Sequence, residues 1–181
     1  MNILIGNGLC LAGSVIMTLM GLIKDKKKFL MTYSGMNIFF IAGNLFLGGV
    51  SGAIANFVTM LRNLYCVKKN ITPAVKVIFI AAQILLTAFF GVEGLLMWLP
   101  VLGICFFTWF IDTDNMILLK LIIIFGQLVW LVYDLSMLNY TTAVFDVTSC
   151  ITNSIALAGL AKQKRQAAQS RNAASSGTVL K

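Results

Sequence analysis

The sequence contains no histidine and only 6 acidic residues. The first absence removes the commonest general base and metal ligand, and no paired-carboxylate motif stands in for it. A hydrolase or zinc enzyme is therefore not expected, and neither is a cofactor. Cysteine is scarce too. Cys10, Cys66, Cys105 and Cys150 fall in or beside four different apolar runs without CxxC spacing, which argues against a disulfide framework and for small buried apolar side chains. A basic groove with interleaved aromatics is also missing, so the net charge of +8 does not point to nucleic acid.

What is abundant is apolar. Of 181 residues, 59% are hydrophobic and 11% charged, and the mean hydropathy is +0.91, where soluble domains run at roughly 45 to 50% apolar and about 25% charged. This is the composition of an integral membrane protein. Seven apolar runs are legible: Ile3 to Ile23, Phe29 to Gly48, Ala53 to Val67, Ala74 to Val92, Leu95 to Ile111, Met116 to Tyr133 and Thr141 to Ala161. A span takes about 20 residues, so seven short ones fill the chain and leave no separate soluble domain. The third run is short, which predicts a helix shielded by its neighbours. Gln83 is the strongly polar interior residue of the fourth.

Basic residues punctuate these runs. Lys24, Lys26, Lys27 and Lys28 follow the first, Lys68 and Lys69 the third, and Lys162, Lys164 and Arg165 the last. Placed on the cytoplasmic side, they predict an N-terminus outside and a C-terminus inside. Residues 162–181 are Ala, Gln, Ser, Asn and Lys with few bulky apolar side chains, and are expected to be a disordered basic tail.

An internal repeat orders the runs. Asn56, Thr59 and Asn63 match Asp146, Ser149 and Asn153 at an offset of ninety, and Gly13 matches Gly103 at the same offset. Gly43 and Asn44 resemble Gly126 and Gln127. Offsets of three and seven place each polar trio on one helix face, to be hidden from lipid. The reading is all-α: residues 1–69 form one three-helix repeat, 70–93 a linker helix and 94–161 a parallel second repeat, the linker being needed to restore orientation.

Asp146 is the sharpest site residue, because a carboxylate inside a span needs a polar cavity, a partner or a proton. With Asn56, Thr59, Asn63, Gln127, Trp130, Ser149 and Asn153 it would contact an uncharged or zwitterionic small solute between the halves. The competing reading of these polar groups is interhelical hydrogen bonding. Asp146 and Arg62 are candidates for ion or proton coupling, although Arg62 also suits snorkelling to headgroups. Pro100, read as lying inside the fifth helix, predicts a kink, and with Gly103 a gating point. Trp98, Trp109 and Tyr133 suit interface anchoring. Small residues such as Gly6, Gly8, Gly48 and Gly52 are compatible with a homo-oligomer.

The three, one, three arrangement resembles the PQ-loop superfamily, including the SWEET and PnuC transporters. A closer resemblance is to the bacterial YgjV family of inner membrane proteins. It rests on Leu99 to Gly103 (LPVLG) followed by Thr108 and Trp109, on Arg62, on Trp130 before Tyr133 and Asp134, and on Asp146 seven positions before Asn153. The YgjV family has no well-defined biochemical role. The repeated polar stripes, with the superfamily likeness, are read as an inner-membrane transporter or facilitator whose two halves rock about a central site, with a non-transport scaffold as the alternative. SWEET likeness implies solute contact by asparagines of the third and seventh spans. Neither Pro73 nor Pro100 is followed by glutamine, so the proline-glutamine signature of the superfamily is absent.

Overall fold

The computed structural model describes residues 2–20, 26–90, 93–113 and 115–178. Ile23, Lys24, Val92, Asp114 and residues 179–181, which figure in the expected spans, turns and tail, lie outside them. The described residues form α1 (Asn2–Met20), α2 (Lys26–Phe46), α3 (Val50–Lys68), α4 (Pro73–Phe89), α5 (Leu99–Phe110), α6 (Met116–Ser136) and α7 (Tyr140–Thr178), with a 3-10 turn over Leu95–Trp98 and no strand.

Local chemistry fixes several helix ends. Thr72 caps α4, its Oγ1 accepting from Val75 N at 3.4 Å, and Pro73 occupies the first turn where no backbone donor is needed. Asn115 caps α6 by accepting from Ile117 N at 3.1 Å and Leu118 N at 3.3 Å.

Three expectations about the elements are corrected. α3 is 19 residues long, about 28 Å at 1.5 Å per residue, because Val50, Ser51 and Gly52 join its first turn. Pro100 bends no helix: the segment breaks into the 3-10 turn and then α5, and Pro100 stands in the first turn of α5. Residues 162–178 continue α7 as helix. Alanine, glutamine, lysine and arginine are good helix formers, and a helix already nucleated needs no new nucleus.

The burial pattern is inverted relative to a water-soluble bundle. Asn37, Asn44, Asn63, Gln83, Asp134 and Asp146 are buried, while Leu4, Leu85, Leu102, Val144 and Ile155 are exposed. Apolar side chains on the outside and hydrogen-bonding groups within is the arrangement a hydrocarbon solvent selects. By length and composition, one described helix passes as a membrane crossing, over Tyr140–Gln166. Asn2–Met17, Pro73–Phe89 and Leu95–Phe110 are shorter apolar helices.

Six helices close a ring. α1, α2 and α3 pack in chain order, as do α5, α6 and α7; α1 meets α7, α3 meets α5, and α4 lies outside against α3 and α5. Close approach holds α1 on α2: a Cβ at Gly43 would stand 2.5 Å from Cys10 Sγ and 3.0 Å from Gly6 O. Cys10, Met36 and Phe40 form the apolar cluster at that seam.

At one end of the ring Lys76, missed among the polar interior residues of α4, is buried and bonds to Asp112 and to Trp109 O. It forms the one salt bridge among the described residues. The hydrogen bond from Lys76 holds the Asp112 carboxyl, in the α5–α6 turn, below the usual carboxylate range. A depressed folded value means that its stabilisation is complete above the ordinary range and is lost as pH falls through the lowered value. Melting curves of wild type and Asp112→Asn should therefore differ at neutral pH, by roughly 1 kcal/mol given the exposure of the carboxylate, and converge in acid.

Candidate functional site

The site is built on the turn between α6 and α7. Leu138 adopts a left-handed conformation, φ 58°, which turns the chain sharply and brings Asn139 back under α6. Asn139 N donates to Asp134 O at 2.9 Å, and Asn139 Nδ2 to Asp134 Oδ1 at 2.9 Å. Asn139 Oδ1 in turn accepts from Thr142 Oγ1 at 3.0 Å. One oxygen of Asp134 is thus satisfied, while Asp134 Oδ2 and Asp146 Oδ2 on α7 have no hydrogen-bond partner, and both residues line the same cavity. Asp134 is 1% exposed and Asp146 3%.

α1 clamps the same turn. Asn7 Nδ2 donates to Leu138 O at 3.0 Å, while Asn7 Oδ1 accepts from Thr141 N and Thr141 Oγ1, both at 3.1 Å. From the other side, Tyr133 Oη accepts from Gly52 N at 2.9 Å. That amide belongs to the first turn of α3, where backbone donors lack intrahelical partners. The bond ties α6 to α3 across the ring.

Inside the ring these elements line a half-open cavity of about 70 Å³. Each ring helix contributes: Met17 from α1, Met36 and Asn44 from α2, Asn56 and Thr59 from α3, Ile104 from α5, Gln127, Trp130 and Asp134 from α6, and Thr142 and Asp146 from α7. The matched residues Asn56 and Asp146, and the resembling Asn44 and Gln127, all reach this one space. Asp146 lies six positions into α7, about 9 Å along the helix from Tyr140.

Of the residues singled out in the sequence, Asn56, Thr59, Gln127, Trp130 and Asp146 line the cavity, and Asn63, Ser149 and Asn153 do not. Arg62 Nη2 donates to Asn63 Oδ1 at 3.2 Å. Asn153 accepts from Lys120 Nζ at 2.8 Å and donates to Ser149 O at 2.8 Å. Arg62 neither snorkels nor meets Asp146. It is 1% exposed, donates from Nη1 to Thr108 Oγ1 at 2.8 Å, and sits over the Phe107 ring at 5.2 Å, joining α3 to α5. Gly103 is buried, and a Cβ there would meet Trp130 Nε1 at an ordinary 3.5 Å.

Sequence reasoning missed Asp134 as a site residue, along with Asn139 and Thr142. Asp134 and Asp146 are equidistant from Tyr140, so an antiparallel hairpin turning there would have set them opposite each other. That signal was available. No group of three or more His, Cys, Asp or Glu residues able to hold a metal assembles among the described residues.

The family model for Imp-YgjV, described as bacterial inner membrane protein, matches residues 4–164. The chain belongs to this family. The match spans all seven helices except the first positions of α1 and the distal part of α7, so the ring and its cavity lie within the Imp-YgjV region. No curated protein and no solved structure matches the chain.

Proposed function

We propose that this inner membrane protein crosses the bilayer seven times and moves a small polar solute through the cavity at the centre of its helix ring. The observation that carries the reading is that Asn56 and Asp146, ninety positions apart and equivalent in the proposed repeat, line one cavity. The pairing of helices supports the duplication as well: exchanging α1, α2 and α3 for α5, α6 and α7 turns the α1–α7 seam into the α3–α5 seam. On this reading the Lys76–Asp112 bridge and Lys68, Lys69 and Lys162 mark the cytoplasmic face, and the acidic α5–α6 turn is neutralised in place. The N-terminus is then outside.

The cavity size restricts the cargo. A volume of about 70 Å³ holds a solute of a few heavy atoms, whereas drug-sized ligands occupy roughly 300 Å³ or more. A sugar or vitamin would enter only after the halves separate, with the start of α5 at Pro100 and the Gly103–Trp130 contact as the moving parts. Two carboxylates at one cavity also serve as the acid–base pair of aspartic proteases, but a peptide does not fit this space, and we favour a non-enzymatic role.

The test is uptake by the protein reconstituted in liposomes, with alkali chlorides, ammonium, small amino acids and sugars as candidate solutes. Asn56→Trp, which fills the cavity with an indole, is expected to abolish the uptake seen for wild type. Asn153→Ala, which lies outside the cavity, is expected to leave it within about twofold. Equal uptake in wild type and Asn56→Trp would contradict a central path. The small cavity favours a second reading, a scaffold whose polar groups hold the bundle together; protein-free rates for every solute would support it.

A further inference from the structure

The polar groups that line the cavity include the donors Trp130 Nε1 and Gln127 Nε2, but buried oxygens without partners predominate. Asn44 Nδ2 donates to Phe40 O at 2.9 Å and Asn56 Nδ2 to Gly52 O at 2.9 Å. With Asn139 Nδ2 committed to Asp134, each of three side-chain amides gives one of its two N–H donors to the protein itself. These bonds also fix which end of each amide is oxygen, since a carbonyl facing a carbonyl would repel.

Buried oxygens among the lining groups lack donors. Asn44 Oδ1, Gln127 Oε1, Asp134 Oδ2 and Asp146 Oδ2 are buried without a hydrogen-bond donor, and the Thr59 hydroxyl is buried without a partner. Asn44 and Thr59 are each only 2% exposed. Buried oxygens are normally satisfied, and leaving one unmatched costs about 1–3 kcal/mol, more for a charged group. No Lys or Arg among the described residues forms a salt bridge with Asp134 or Asp146. Arg62, the cation nearest in expectation, is spent on Thr108, Asn63 and Phe107.

We propose that the cavity binds a small monovalent metal cation, held by the Asp134 and Asp146 carboxylates with the Gln127 and Asn44 carbonyls and the Thr59 hydroxyl. Oxygen ligands suit a hard cation, and the lack of His and Cys ligands disfavours a soft transition metal. A volume of about 70 Å³ accommodates such an ion with one or two waters. Bound between α6 and α7 and against α2 and α3, the cation would draw the two halves of the ring together, coupling its occupancy to any movement between them. This deepens the transport reading, although binding itself does not depend on transport.

The experiment is thermal unfolding of the purified full-length protein in detergent, with sodium, potassium or lithium chloride replacing choline chloride at constant ionic strength. A ligand that binds the folded state raises the melting temperature saturably. One of the three cations should do so by several degrees relative to choline, and the rise should vanish in Asp146→Asn and in Asp134→Asn. Should those variants not fold, Thr59→Val and Gln127→Leu are expected to raise the half-saturating concentration about tenfold, the loss of one ligand. Identical melting in all four salts would overturn the proposal, as would a cation response retained in the variants. Saturable stabilisation without uptake of any solute into liposomes would overturn only the transport reading. Uptake at equal rates in all four salts, with no cation-dependent melting, would overturn only the cation site.

Discussion

Gly52→Ala should lower the stability of the protein by roughly 2–4 kcal/mol, the sum of an overpacked contact and a lost hydrogen bond. A Cβ at this position would stand 2.5 Å from Asn44 Oδ1 and 2.7 Å from both Cε1 and Oη of Tyr133. Neither neighbour can withdraw cheaply. Asn44 is held by Phe40 O, and Tyr133 is fully buried with its hydroxyl on Gly52 N. Tyr133→Phe removes only the hydrogen bond and should cost about 1 kcal/mol. Thermal unfolding in detergent separates the two: Gly52→Ala should melt well below Tyr133→Phe, and equal melting would mean that the close approach of α3 to α6 is not as described.

Arg62→Ala should be the most damaging single substitution, at about 3–5 kcal/mol. Arg62 is the largest of the fully buried side chains among the described residues, so truncation opens a cavity at the α3–α5 seam and strips Thr108 and Asn63 of a charged donor. Arg62→Met keeps most of the volume and removes a buried charge whose desolvation is itself costly. It is expected to recover at least half of the lost stability in the same melting experiment. If Arg62→Met melts as low as Arg62→Ala, the hydrogen bonds to Thr108 and Asn63 rather than the packing hold that seam.

How much of this was legible in the sequence follows from what each signal encodes. Apolar runs bounded by lysine, glycine and proline placed the seven described helices, because each carries an apolar run over most of its length. Helical periodicity correctly put Asn56, Thr59 and Asn63 on one face, yet periodicity gives an angle and no depth. Asn63 and Asn153 stand seven residues beyond Asn56 and Asp146, about 10 Å further along their helices, past the cavity and within reach of Arg62 and Lys120. The fate of Pro100 turned on a helix start that hydropathy does not register, since the 3-10 turn at Leu95–Trp98 is as apolar as the helix after it. Asp134 was not assigned to the site because Asp146 lies across a turn made tight by a left-handed Leu138, a conformation that leucine rarely adopts.

The central claim is that the two helix triplets close on each other at both seams around a polar interior. Cross-linking tests it most directly, in a background with the four native cysteines replaced. Asn7→Cys with Thr141→Cys reports the α1–α7 seam, and Ser51→Cys with Met97→Cys the approach of α3 to the turn before α5, both being hydrogen-bonded pairs. A short bifunctional thiol reagent should link each pair within one chain, at monomer mass and in high yield, in the membrane as in detergent. Links formed only between chains, or closure at one seam and not the other, would contradict the ring.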